Sequence, residues 1–106
     1  MKRKYFFVIL FLIFAITNWE QDNWCDVEAY YTIKNTGNVT IDYYEVYFKA
    51  KCSDGSVYQD FDNGLNVKVG DTLSDHTYIL TPSEKYVVSV YVSDHDLTNY
   101  NYLWSY

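Results

Sequence analysis

Punctuation is scarce in this chain: one proline, Pro82, and four glycines in 106 residues. That composition excludes collagen-like and Pro/Gly-rich low-complexity architectures, and with no repeat and no internal linker it points to one domain. Cysteine is limited to Cys25 and Cys52. Two thiols without a neighbouring pair of histidines do not make a tetrahedral zinc set, and no CxxC occurs. Basic residues are few as well. Three of the eight, Lys2, Arg3 and Lys4, sit at the start, and the other five are set against fourteen acidic residues. Nucleic acid, whose binding needs clustered Lys and Arg to displace counterions, is therefore excluded as a partner, and so is an anionic membrane surface. The acidity is read as a solubility device rather than a site. Glycine-rich phosphate loops, nucleophile elbows and paired carboxylates in a helical context are all missing, so neither enzymatic activity nor a cofactor is expected.

Aromatic residues are abundant instead, with thirteen Tyr, six Phe and three Trp. Tyr suits pleated, half-buried surfaces, where the ring packs and the hydroxyl reaches water. The N-terminus has its own pattern. Lys2-Arg3-Lys4 precede an apolar run from Tyr5 to Ile16, which is short for a bilayer span of about 20 residues and normal for a signal-peptide core. Residues 1–17 are read as a signal peptide ending at Ala15-Ile16-Thr17, with an uncleaved N-terminal anchor as the alternative. Residues 18–25 are a non-periodic lead-in, and 26–106 the folded domain. The expected compartment is secreted or cell envelope, with membrane contact only through the N-terminal segment if it is retained. A domain of about 89 residues buries roughly 60 to 65% of its unfolded surface, so a covalent staple would help it.

The stretch Tyr31 to Gly55 carries no helix signal and reads as sheet. Val27, Ala29, Tyr31 and Ile33 alternate on one face of the first run. Tyr44, Val46, Phe48, Ala50 and Cys52 do so on the second, with Glu45, Lys49 and Lys51 on its other face. Paired as an antiparallel hairpin with Lys34 opposite Tyr43, the two apolar faces coincide and Cys25 falls opposite Cys52, within reach of a disulfide. The competing topology sends the two strands to opposite sheets of a sandwich, where both cysteines could still face a shared core; two buried free thiols are the remaining possibility.

Asp54-Gly55, read as a two-residue turn, sets Cys52 opposite Val57 and Phe48 opposite Phe61. Asn63-Gly64 resembles another such turn, but its pairing conflicts, so Leu65 to Val69 is expected to cross between sheets. Leu73 to Leu80 and Tyr86 to Ser93 flank Pro82 as further strands, the second expected to be the most central. The last ten residues read as one more extended strand, with Tyr100, Tyr102 and Trp104 on one side.

Several stretches carry weak chemistry. Ser-Asp-His occurs at Ser74-Asp75-His76 and at Ser93-Asp94-His95, followed by Asp96, so His76, His95, Asp94 and Asp96 are weak metal candidates. The hairpin about Pro82 puts the two histidines roughly 20 Å apart, so they are read as solvated polar residues at strand ends, and no metal is expected. Neither tripeptide forms a catalytic triad, because neighbours along a strand point to opposite faces. Asp60 to Gly64 lacks the spacing and closing Glu of a calcium loop. Asn38-Val39-Thr40 is a glycosylation sequon, meaningful only in a host that modifies secreted Asn. The row Tyr100, Tyr102 and Trp104, with its interleaved amides, could stack on sugar faces and bond hydroxyls, or could pack on the core or cover an edge strand.

Lys34-Asn35-Thr36-Gly37-Asn38, the strand ending Phe48-Lys49-Ala50-Lys51-Cys52-Ser53-Asp54-Gly55, and Gly70-Asp71-Thr72 together resemble the FxLYD-type domain of bacterial and archaeal envelope proteins. The resemblance covers roughly Val27 to Ser93. It implies an all-β, immunoglobulin-like antiparallel sandwich of about seven strands in an exported, non-catalytic protein. The expected function is a structural or protein-interaction module, with a protein or glycan partner; the alternative is a small carbohydrate-binding domain using Tyr100, Tyr102 and Trp104.

Overall fold

A computed structural model describes residues 8–22 and 26–101, together with the backbone of 104–105. The strands are β1 (Leu12–Gln21), β2 (Val27–Asn35), β3 (Ile41–Cys52), β4 (Val57–Val67), β5 (Thr72–Ile79), β6 (Val87–Asn99) and the two-residue β7 (Trp104–Ser105). They form two antiparallel sheets, β1-β2-β5 and β4-β3-β6, the second extended at its edge by β7. Among the described residues there is no helix. The expected all-β sandwich is what folds, with six long strands.

Alternation in β2 and β3 selects the core as expected. Val27, Ala29, Tyr31 and Ile33 on β2, and Tyr44, Val46, Phe48, Ala50 and Cys52 on β3, are all buried. The hairpin between these strands does not form. β2 pairs with β1 and β5, whereas β3 pairs with β4 and β6, so the two apolar faces meet across the core instead of side by side. The Tyr31 and Phe48 rings touch there, with centroids 5.0 Å apart. Opposition between sheets satisfies the same alternation as pairing within one, and the sandwich topology prevails because it buries both faces. The disulfide drawn from the hairpin register loses its basis. Cys52 is a buried free thiol, neighbouring Val87 of β6, and Cys25 lies outside the described residues.

The Asn-Thr-Gly-Asn segment closes one end of the sandwich. Asn35 is buried, its Nδ2 donates to the carbonyls of Val39 and Val67 at 2.9 Å each, and its Oδ1 accepts the Gly37 N–H at 2.9 Å. One amide thus joins the β2–β3 crossing to the β4–β5 crossing. Gly37 is bare for a packing reason: a Cβ there would lie 2.2 Å from the Ile9 carbonyl oxygen. The chain before β1 runs against this loop, the Ile9 and Phe11 carbonyls accepting the Asn38 and Thr36 N–H groups.

β1 uses part of the apolar run read as a leader and continues through the first half of the segment read as a lead-in. Leu10 and Leu12 are buried, and Phe14, Ile16 and Trp19 pack on the core. A bulge between Ile16 and Asn18 shifts the alternation by one, which hides the strand from a period-2 reading. Beyond the bulge, Gln21 ties the sheets together: its Nε2 donates to the Lys85 carbonyl at 2.7 Å and its Oε1 accepts the Val87 N–H at 2.9 Å.

The β3–β4 connection is one residue longer than expected. Ser53, Asp54 and Gly55 form the loop, Gly55 adopting φ +87°, and Cys52 N–H bonds the Ser56 carbonyl at 2.8 Å. This is the three-residue hairpin in which a left-handed glycine follows the turn. Lys51, not Cys52, consequently opposes Val57, and Phe61 opposes Tyr47 instead of Phe48. A one-residue slip reverses every side chain of β4: Val57, Phe61 and Leu65 turn to the outer face. Asn63-Gly64 is not a turn but lies within β4, opposite Glu45 and Tyr44. A Cβ on Gly64 would come within 2.6 Å of three Tyr44 ring and hydroxyl atoms, so the glycine makes room for that buried ring.

The crossing between sheets follows β4, through Lys68 to Asp71. β5 and β6 lie in different sheets, so no hairpin forms about Pro82. The most central strand of its sheet is β3, bonded along both sides, rather than β6, which β7 covers only at Thr98 and Asn99. The chain turns at Tyr100 and Asn101 into β7, so the last ten residues do not form one extended row.

Candidate functional site

The outer face of the β4-β3-β6 sheet gathers what the β3–β4 register turns outward. β3 contributes Tyr43, Glu45, Tyr47 and Lys49; opposite them on β4 stand Leu65, Asn63, Phe61 and Gln59, and on β6 Thr98, Asp96, Asp94 and Tyr91. Strand geometry explains why three of the β3 groups act together, since residues two apart share a face. Glu45 accepts hydrogen bonds from both tyrosines, from the Tyr43 hydroxyl at 2.7 Å and the Tyr47 hydroxyl at 2.5 Å. This fork holds two phenol rings in fixed orientation. Phe61 packs on Tyr47 with ring centroids 5.8 Å apart and planes 35° apart. Beside Tyr47 lies a cleft of about 280 Å³ lined by Lys49, Gln59, Ser93, Asp94 and Asp96.

The fork has an electrostatic signature. The two phenol donors, Tyr47 first, hold the Glu45 carboxyl below its usual range. The same hydrogen bond pushes the Tyr47 phenol up from 10.0 to about 12, and Tyr43 is raised by its bond to Glu45. Because the folded state favours the neutral phenol, the Tyr47 contribution to stability is complete below pH 10 and is lost as the pH rises through about 12. Spectrophotometric titration of the folded protein should show late-ionising tyrosines. Glu45→Gln should move the Tyr47 and Tyr43 ionisations back toward 10.0, and an unchanged titration curve would contradict the fork.

The residues singled out from sequence are dispersed. Asp94 and Asp96 do lie on this outer face. His95 points the other way, into the sandwich, where its ring lies 5.5 Å from Phe14. His76 sits on the outer face of the other sheet, stacked on Tyr30 with centroids 5.8 Å apart and 3.0 Å from Glu28 Oε2. The two Ser-Asp-His sites are thus on different sheets, and no group of three or more His, Cys, Asp or Glu among the described residues could hold a metal ion. Asp60 to Gly64 is strand rather than calcium loop. Asn38 of the sequon accepts the Ile9 N–H at 2.7 Å through its side chain.

Tyr100 is 60% exposed in the turn after β6, its N–H bonding Asp42 at 2.8 Å, and its phenol is close enough to Tyr43 to raise that group's pKa. Tyr102 and the Trp104 side chain lie outside the described residues. A second concavity, of about 330 Å³, lies at the end of the β1-β2-β5 sheet, lined by Glu20, Gln21, Asp22, Asp26, Glu28 and Tyr78. Within it the Glu28 carboxylate is engaged by the Tyr30 hydroxyl and His76.

Sequence reasoning missed Tyr43, Tyr47 and Phe61. The first two were legible as the i−2 and i+2 neighbours of Glu45 on the polar face of β3. Phe61 was not, because its face depends on the loop length. Comparison with protein-family models and with curated proteins finds no match.

Proposed function

We propose that this chain is a secreted or cell-envelope binding module, an immunoglobulin-like sandwich of FxLYD type that acts by contact rather than catalysis. Its ligand face is the outer surface of the β4-β3-β6 sheet. One observation carries the reading: Glu45 clamps the Tyr43 and Tyr47 phenols while Phe61 packs on Tyr47, and none of these rings belongs to the core. Rings held at the surface by bonds they do not need for burial are pre-organised for something outside the protein.

Two measurements test it. Tyr47→Ala and Phe61→Ala should each change stability by no more than about 1 kcal/mol in urea titrations, as expected for surface positions. A loss of several kcal/mol from either would make the face structural. For the compartment, support is the sequence pattern alone, Lys2-Arg3-Lys4 followed by an apolar run, and β1 competes with export for the end of that run from Leu12 on. The full-length chain expressed with a C-terminal tag should be recovered outside the cytoplasm, its intact mass reporting whether residues 1–17 remain. Retention in the cytoplasm overturns the proposed location.

A further inference from the structure

The chemistry of the outer face narrows the ligand class. Contact surfaces for proteins concentrate apolar area at their centre and are depleted of charge there. Here the rings are interrupted instead: Glu45 stands between Tyr43 and Tyr47, Asn63 and Gln59 flank Phe61 on β4, and Asp94 and Asp96 lie across from Tyr47 and Glu45. Every aromatic surface therefore has carboxylate, amide or ammonium groups beside it. A ligand that fits must be amphipathic on the scale of single rings, with flat C–H surfaces edged by hydroxyls, which is the chemistry of a pyranose.

Charge and size limit it further. The cleft beside Tyr47 carries Asp94 and Asp96 against one cation, Lys49, with Glu45 next to it. Uronates, sulfated sugars and other anionic chains are repelled by that balance. The cleft volume of about 280 Å³ lies near the lower bound of small-molecule sites. Tyr43 and Tyr47 are four strand residues apart, about 14 Å at 3.4 Å per residue, which exceeds one sugar ring. Tyr100, exposed in the turn after β6, comes two residues after Thr98, which stands opposite Tyr43.

We infer that this face binds a neutral oligosaccharide of more than one ring, stacked on Tyr47 and Phe61 with hydroxyls directed to Asp94, Asp96, Gln59 and Lys49. The inference rests on the outer face being the ligand face. It moves the sugar-binding role from the C-terminal row to β3 and β4, keeping Tyr100 as an outer contact.

The test uses the full chain on an array of neutral and uronate-containing oligosaccharides, followed by affinity electrophoresis in gels of neutral β-glucan, mannan and polygalacturonate. Retention by at least one neutral glycan is expected, weakened about tenfold or more by Tyr47→Ala and by Phe61→Ala, as for loss of one aromatic contact. Polygalacturonate should not retard the protein. Absence of any neutral-glycan binding by a chain with native near-ultraviolet circular dichroism overturns the inference, as does binding indifferent to both substitutions or a preference for polygalacturonate. Failure here is distinguishable from failure of the ligand face itself, which the urea titrations of the same two variants decide independently.

Discussion

A chain that starts at Asn18 is expected to lose its cooperative fold. Such a truncation removes Leu10 and Leu12 from the core, takes away Phe14 and Ile16 packed against it, and strips β2 of its ladder from Asn35 to Tyr31. Each buried Leu contributes roughly 1.5 to 3 kcal/mol, and the two half-buried side chains add to that. The total, on the order of 6 kcal/mol or more, rivals the 5 to 15 kcal/mol net stability of an ordinary domain. Far-ultraviolet circular dichroism with urea titration of the full and shortened chains measures the difference. The result also bears on export, because Leu12–Thr17 cannot be at once the end of a signal peptide or anchor and the first half of β1. A shortened chain that unfolds as cooperatively as the full one would show that the core closes without this strand.

Asn35→Ala is expected to be the most damaging single substitution at the sandwich end. The side chain is buried and makes three hydrogen bonds, and its loss orphans the Val39 and Val67 carbonyls and the Gly37 N–H. Buried polar groups left unpaired cost about 1 to 3 kcal/mol each, with partial relief by water at the end of the sandwich, so a loss of about 3 to 4 kcal/mol follows. For a domain of this size, that lowers the melting temperature on the order of 15 °C. Asn35→Asp should rescue little, because a carboxylate cannot donate to either carbonyl. A loss under about 1 kcal/mol in Asn35→Ala would mean that this network does not hold the two crossings together.

The Asn35 hydrogen bonds give a structural role to the Asn-Thr-Gly-Asn segment, which the sequence offered only as part of a family resemblance. It is an architectural device: the amide joins two crossings, and bare Gly37 admits the Ile9 carbonyl. The candidate site, by contrast, left only a partial trace. Tyr43, Glu45 and Tyr47 are local, two residues apart on one strand, and their common face follows from the pleat. Asp94 and Asp96 were noticed for metal chemistry but stand opposite Tyr47 and Glu45 through a long-range pairing. Phe61 joins them only because of what happens at Gly55.

Alternation along β2 and β3 was enough, without any structure, to name the core residues from Val27 to Ile33 and from Tyr44 to Cys52. A strand's two faces are set by its own backbone, whatever it pairs with. Pairing itself required the folded chain. Two strands with matching apolar faces can lie side by side or across a core, and the local pattern is the same in both cases. The face of β4 is subtler still. Val57, Phe61 and Leu65 compete with Tyr58, Asp62 and Gly64 for the inward side. The latter set wins through contacts no linear reading contains: Tyr31 donates to Asp62 across the sheets at 2.5 Å, Tyr58 packs on the core, and Gly64 yields space to Tyr44. One additional loop residue, allowed by the left-handed Gly55, accommodates that choice and places the aromatic residues of β4 where a ligand can reach them.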